Sequence, residues 1–222
     1  MLDRSLLIAL AGVLALLVHS AGADGHTEPT LSGYPQVLVD TSHGEFVIEL
    51  EPARAPITVN NFVALVTSGF YEKTIFHRVM AGFVVQGGGH NMDYSAKEET
   101  PTIVNESGNG LSNQRGTIAM ARQAAPHTAN SQFYINLADN SRLDPREDRW
   151  GYTVFGRVIS GMETLDRIAS LPTGPAGPFA SDVPSMPVIL NTAKLLSDAE
   201  VEARAQAELE AAQKLLEEME QP

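Results

Sequence analysis

Between residues 34 and 197 the apolar side chains recur mainly at every second position, the period of a β-strand, and this pattern limits the folds open to the chain. Phe46, Ile48 and Leu50 alternate with Glu45 and Glu49, giving one face for a core and one for water. Further β-rich runs occupy 36–40, 75–80, 83–86, 117–121, 132–136, 153–159 and 188–195, so eight strands are expected. Only two stretches carry the helical period. Val59, Phe62, Val63 and Val66 form a stripe opened by Pro56 and followed by Gly69, and Met162, Leu165 and Ile168 form a shorter one. Eight strands, two helices and no repeated strand–helix alternation predict a mainly β protein. Its expected architecture is an eight-stranded antiparallel closed barrel capped by two α-helices, over residues 34–196.

The ends of the chain differ from this region. Arg4 precedes 13 apolar or Gly residues from Leu6 to Val18, and Ala21-Gly22-Ala23 supplies a small-residue cleavage site. That order predicts a secretory signal peptide over 1–23, cleaved before Asp24, and hence an exported protein, periplasmic or secreted. The apolar run spans about 20 Å as a helix, short of a hydrocarbon core of about 30 Å, so no stable membrane insertion is expected after processing. From 197 to 222 the chain is acidic and free of Gly, with Ala205, Leu209, Ala212, Leu216 and Met219 spaced by four and three residues. An amphipathic helix is expected there, either lying against its own domain or serving a partner.

Charge and missing residue types exclude several functions. Asp and Glu total 27 against 15 Lys and Arg, a formal charge of −12, which disfavours nucleic acid and anionic membrane surfaces as partners. With no cysteine, thiolate metal sites and a cysteine nucleophile are excluded. The six histidines form no His-Glu-x-x-His motif, and Gly87-Gly88-Gly89 is not followed by the Lys-Ser/Thr of a phosphate loop, so it reads as a turn needing positive φ. Asn105-Glu106-Ser107 fits the loose glycosylation pattern. Three long connections, 87–115, 138–151 and the five-proline stretch 171–187, offer loops on which a site could be built.

The chemistry must then reside in strands that mix large apolar groups with uncharged hydrogen-bonding ones. Phe76-His77-Arg78-Val79 leads through Ala81-Gly82 into Phe83-Val84-Val85-Gln86-Gly87-Gly88. Gly116-Thr117-Ile118-Ala119-Met120-Ala121-Arg122, Ser131-Gln132-Phe133-Tyr134-Ile135-Asn136 and Val154-Phe155-Gly156 follow. In this order and spacing the blocks resemble the cyclophilins, a class of peptidyl-prolyl cis-trans isomerases, and most closely their exported bacterial form. The resemblance runs from about Val37 to Leu195 and implies the same barrel with two capping helices.

It also implies a reaction whose demands match the residue types. Rotation about an X-Pro bond meets a barrier of about 18–20 kcal/mol because the twisted amide loses resonance. No covalent bond breaks, so no metal, nucleophile or cofactor is required, and only interactions gained at the twist accelerate the step. Twisting leaves a lone pair on the prolyl nitrogen, to which a fixed donor can bond. Arg78 is the candidate donor, since a guanidinium offers several N–H groups from a planar fork. Without the flanking blocks an arginine in a strand reads as a surface ion pair. Gln86 and Gln132 are expected to hold the substrate backbone with neutral groups.

By resemblance the walls of an apolar proline pocket are Phe83, Val84, Tyr134, Leu143 and Tyr152, and Ala121 with Arg122 lines the groove for the residue before proline. Gln132 and Tyr134 share a strand face, whereas Phe133 points to the core. Expected partners are proline-containing segments of unfolded or exported polypeptides. Val84, Tyr134 and Tyr152 stand where the animal cytosolic form has Met, Phe and His, and Tyr134 adds a hydroxyl that needs a partner. Arg142 aligns with the family's cyclosporin-contacting Trp, so weak cyclosporin binding is expected, unless the nearby Trp150 substitutes. Two other readings stay open on the residues alone: a barrel that binds proline peptides without turnover, and an interaction subunit acting through its acidic helix.

Overall fold

A computed structural model describes residues 34–220; the signal peptide expected at 1–23 lies outside them. The chain opens with β1 (Gln36–Thr41), β2 (Gly44–Leu50) and α1 (Pro56–Thr67). It continues through β3 (Thr74–Ile75), β4 (Arg78–Met80), β5 (Val84–Gly87), β6 (Thr117–Met120), β7 (Phe133–Asn136) and β8 (Val154–Ser160). α2 (Met162–Ala169), β9 (Thr173–Ala176), β10 (Phe179–Pro184), β11 (Ile189–Leu195) and α3 (Asp198–Glu220) complete it. Nine strands form one antiparallel sheet in the order β3-β11-β1-β2-β8-β6-β7-β5-β4, and β9 pairs with β10 separately.

The run expected at 75–80 is divided. Ile75 pairs with Ile189 and the Phe76 amide donates to the Val188 carbonyl, whereas from Arg78 onward the chain pairs with β5. One run therefore supplies both end strands of the sheet, joined through the buried Phe76 and His77. The three Cα–Cα steps from Ile75 to Arg78 reach at most about 11 Å, so the sheet must curl strongly to bring its two end strands near each other. The eight runs and nine strands describe the same curled sheet.

Alternation sorts the side chains between two faces. Phe46, Ile48, Leu50, Ile118, Met120, Phe133, Ile135 and Phe155 enter the main core, where Phe62 of α1 lies 5.1–5.6 Å, ring centre to ring centre, from Tyr71, Phe133 and Phe155. Val84, Ala119, Tyr134 and Val154, each next in sequence to a core residue, form a second apolar cluster on the opposite face. α1 begins at Pro56, and its free N-terminal amides find a distant acceptor. The Glu106 carboxylate accepts from the amides of Ile57 and Thr58 and from the Thr58 hydroxyl, where the helix dipole favours an anion. The neighbouring Asn105 is buried, its amide donating to the Pro126 and Gly151 carbonyls, so it serves as an internal strut and is closed to a glycan.

The proline-rich stretch expected as a loop contains the β9–β10 hairpin, turning at Gly177. An isolated two-stranded ribbon tolerates proline because it has no central ladder to break. The hairpin packs beside β4, where Phe179 stacks on His77 with ring centres 5.1 Å apart, and His77 lies 4.4 Å from His90. Burial, then the neighbouring His90 and Arg78, lower the His77 pKa to about 3. Below pH 6.5 the unfolded chain therefore binds a proton that the folded one refuses. Folding stability is expected to fall as pH drops from 6.5 toward 3, by roughly 1 kcal/mol per pH unit, with His90 adding in the same direction. Urea unfolding of wild type and His77→Phe across pH 5–7.5 measures this; an equal slope in both would contradict it.

α3 starts in a capping box: Ser197 accepts from the Glu200 amide, and the Glu200 carboxylate accepts from the Ser197 amide and hydroxyl. Lys194 bonds Glu200, and Arg204 approaches Glu45 at 3.8 Å. Val201 and Ala205 meet Gln36, Val47 and Ile159 around a small cleft, so the first turns lie against the body, while Leu216 and Met219 are exposed.

Candidate active site

Strand register assembles the site. Arg78 of β4 faces Gln86 of β5, Gln86 faces Tyr134 of β7, Tyr134 faces Ala119 of β6, and Ala119 faces Val154 of β8. Directly opposed residues share a face, so these five form one row across five strands, polar at one end and apolar at the other. A slip of one residue in any of these pairings would exchange the row for core side chains.

Arg78, Phe83, Val84, Gln86, Ala121, Arg122, Tyr134, Leu143 and Tyr152 line one cavity of about 350 Å³ beside this row. The volume is at the low end for ligand pockets and fits a small ring with flanking backbone. All nine are among the ten residues expected from the sequence. The tenth, Gln132, lines a neighbouring cavity of about 310 Å³, which Gln86, Ala121 and Arg122 also border. A hydrogen-bonded chain joins the two: Arg78 Nη1 donates to Gln86 Oε1 at 3.3 Å, and Gln86 Nε2 donates to Gln132 Oε1 at 3.1 Å. This relay fixes which end of the Gln86 carboxamide faces the arginine.

The remaining contacts of Arg78 hold it loosely. Its Nε lies 3.9 Å from the Asp182 carboxylate of β10, and its guanidinium carbon lies 5.9 Å from the Phe83 ring centre. The surface ion pair expected of an isolated strand arginine thus exists alongside the cavity, and both groups of the pair remain partly exposed.

The walls are ordered by buried polar partners. The Tyr134 hydroxyl donates to Asn113 Oδ1 at 2.7 Å, Asn136 Nδ2 reaches the same oxygen at 3.2 Å, and Asn113 Nδ2 donates to Asp144 at 2.8 Å. The added hydroxyl is therefore satisfied. Burial raises the Tyr134 pKa well above its ordinary value, which keeps it a neutral donor. Tyr152 meets Tyr134 edge to face at 5.9 Å, and the Arg122 guanidinium covers Tyr152 at 4.5 Å. Trp150, half exposed, packs on His127 and lies outside the cavity; Arg142 stacks on the outer wall, 4.5 Å from the Phe83 ring centre.

The triple glycine does more than turn. Gly88 has φ +83°, but Gly89 has ordinary φ and makes room: a Cβ there would stand 2.4 Å from Gln132 Cγ. The obstructing atoms belong to a flexible side chain, so Gly89→Ala is expected to fold while pushing Gln132 off Gln86. Activity should fall by about threefold to tenfold, the worth of one neutral hydrogen bond, with a far-UV spectrum like wild type. Unchanged activity would remove Gln132 from the site. The sequence marks Gly89 only as part of a turn and gives no sign of Asp182 or Asn113, because each acts on a residue distant in the chain.

Similarity to known proteins agrees with this geometry. The family described as cyclophilin type peptidyl-prolyl cis-trans isomerase/CLD matches residues 36–194. The chain is 43% identical over 195 residues to peptidyl-prolyl cis-trans isomerase A of Dickeya dadantii, covering 88% of this chain and 99% of that one. It is 45% identical over 159 residues to peptidyl-prolyl cis-trans isomerase B of Escherichia coli, covering 70% and 96%. Among solved structures, a cyclophilin type isomerase of Cryptosporidium parvum crystallised in the presence of the dipeptide Ala-Pro superposes with a TM-score of 0.60 at 28% identity, covering 73% of this chain and 99% of that one. A curled antiparallel sheet with a small peptide-sized cavity on its outer face defines the class, and the chain belongs to the cyclophilin-type peptidyl-prolyl cis-trans isomerases.

Proposed function

We propose that the protein is exported, and that it accelerates rotation about X-Pro bonds in unfolded exported polypeptides by stabilising the twisted amide through Arg78. The observation that carries this reading is the Arg78–Gln86–Gln132 chain set at the mouth of an apolar cavity. The proline ring occupies the space between Phe83, Val84, Tyr134, Leu143 and Tyr152. Gln86 and Gln132 hold the flanking backbone without adding charge. Arg78 Nη2 has no other hydrogen-bond partner among the described residues and is left to meet the pyramidal prolyl nitrogen. A planar amide has no such lone pair to offer, so the contact exists only at the twist and lowers the barrier selectively. Removal of water by the apolar walls favours the same state, because the twisted amide is less polar than the planar one.

Proton exchange spectroscopy of a short X-Pro peptide, with and without the protein, tests the reading. Faster cis–trans exchange is expected; binding without acceleration would reduce the barrel to a recognition module. The export reading rests on the signal-peptide pattern at 1–23 and predicts an isolated protein whose mass corresponds to residues 24–222; a retained leader would oppose it. The Ala-Pro dipeptide used with the Cryptosporidium relative supports a proline-containing substrate. With Arg142 in place of a flat aromatic beside Phe83, cyclosporin is expected to inhibit weakly. Inhibition at low nanomolar drug would refute that.

A further inference from the structure

Arg122, in the lining, and Arg142, against Phe83, flank the proline cavity with no carboxylate bonded to either among the described residues. Arg122 lines the cavity and donates only to the carbonyls of Gly151, Gln123, Ala124 and Trp150. Arg142 lies over the outer face of Phe83 with no hydrogen bond or ion pair from its side chain among the described residues. Arg149 donates to the carbonyls of Arg142 and Asp144 and borders, with Glu147 and Asp148, a separate cleft. Arg115 and Arg157, by contrast, are held by carboxylates, Arg115 by Asp166 and Arg157 by Glu49, both at 2.8 Å.

The nearby carboxylates are directed elsewhere. Asp144 accepts from the Asn113 amide and side chain, and Asp182 faces Arg78. Glu147 and Asp148 border a separate cleft with Trp150, and Glu98 and Glu99 border the neighbouring cavity with Gln132. The groove beside Gln132 thus holds both signs, Glu98 and Glu99 with Lys97 and Arg122, whereas Arg142 beside Phe83 is a cation with no carboxylate bonded to it among the described residues.

We propose that this rim selects segments bearing a carboxylate side chain just after the proline. The inference rests on the isomerase reading, in which the residue before proline lies over Ala121 and Gln132. The chain then leaves the proline ring toward Phe83 and Arg142. A Glu or Asp following the proline meets the guanidinium of Arg142, whose planar fork binds a carboxylate in two-point geometry. A carboxylate before the proline is instead carried toward a groove in which Glu98 and Glu99 offset Lys97 and Arg122.

Three otherwise identical blocked peptides containing Ala-Pro-Glu, Ala-Pro-Ala and Ala-Pro-Lys test this by exchange spectroscopy at about 20 mM and about 500 mM salt. At low salt kcat/KM is expected to favour Pro-Glu over Pro-Lys by about threefold to tenfold, as exposed charge pairs allow, and the preference should shrink at high salt. Arg142→Glu is expected to reverse the order, while Arg157→Gln, on the far ion pair with Glu49, leaves the ratio as in wild type. Because each ratio is internal to one protein, a general loss of activity in a variant cancels. Equal acceleration of all three peptides by wild type, or a ratio indifferent to Arg142→Glu, overturns the selectivity alone. Acceleration of none overturns the isomerase reading beneath it.

Discussion

Arg78→Ala is expected to lower kcat/KM on an X-Pro peptide by about 10²–10³-fold, the loss seen when a single preorganised donor to a developing charge or lone pair is removed. Arg78→Lys should fall between wild type and alanine. A lysine keeps the charge but lacks the planar fork that engages Gln86 and still presents a second N–H to the cavity. Neither change should unfold the protein. Arg78 is partly exposed, and its pairing with Asp182 at 3.9 Å belongs to a class of contact worth about 1 kcal/mol or less. Activity and stability can thus be separated at this position.

Phe133→Ala is expected to do the reverse, destabilising the fold by about 3–5 kcal/mol. Phe133 is fully buried and meets Phe62, Tyr71 and Phe76 edge to face, with ring centres 5.4–6.1 Å apart, so the cavity left behind has three rigid aromatic walls that close poorly. For a domain of this size the melting temperature should drop by about 10 °C or more. A drop of only a degree or two, read by near-UV circular dichroism, would show that the core repacks around the loss. The residues on either side, Gln132 and Tyr134, point to the other face and carry the site. Neighbouring positions on one strand therefore separate stability from chemistry.

That division was legible in the sequence because the strand period is short and local. Alternation alone places Phe133 inward and Gln132 and Tyr134 outward, and the cyclophilin resemblance places the same residues around a proline pocket. What the sequence hid depends on pairings between distant segments. The run 75–80 looks like one strand, and only its two partners, β11 and β5, divide it between the ends of the sheet. Five prolines masked the β9–β10 hairpin, since proline argues against a strand except in an edge or isolated ribbon. Asp182 reaches Arg78 from that hairpin, Glu106 caps α1 from a loop, and Gly89 clears space for Gln132. None of these has a local spacing that announces it.

The most direct measurement is exchange spectroscopy of one short X-Pro peptide at saturating and subsaturating protein, yielding affinity and on-protein exchange rate separately for wild type and Arg78→Ala. A donor that acts only on the twisted amide predicts affinities within a few-fold of each other and an exchange rate on the protein about 10²-fold or more slower in the variant. Equal rates on the protein, or a loss confined to affinity, would show that Arg78 binds the planar peptide and would contradict its role at the transition state.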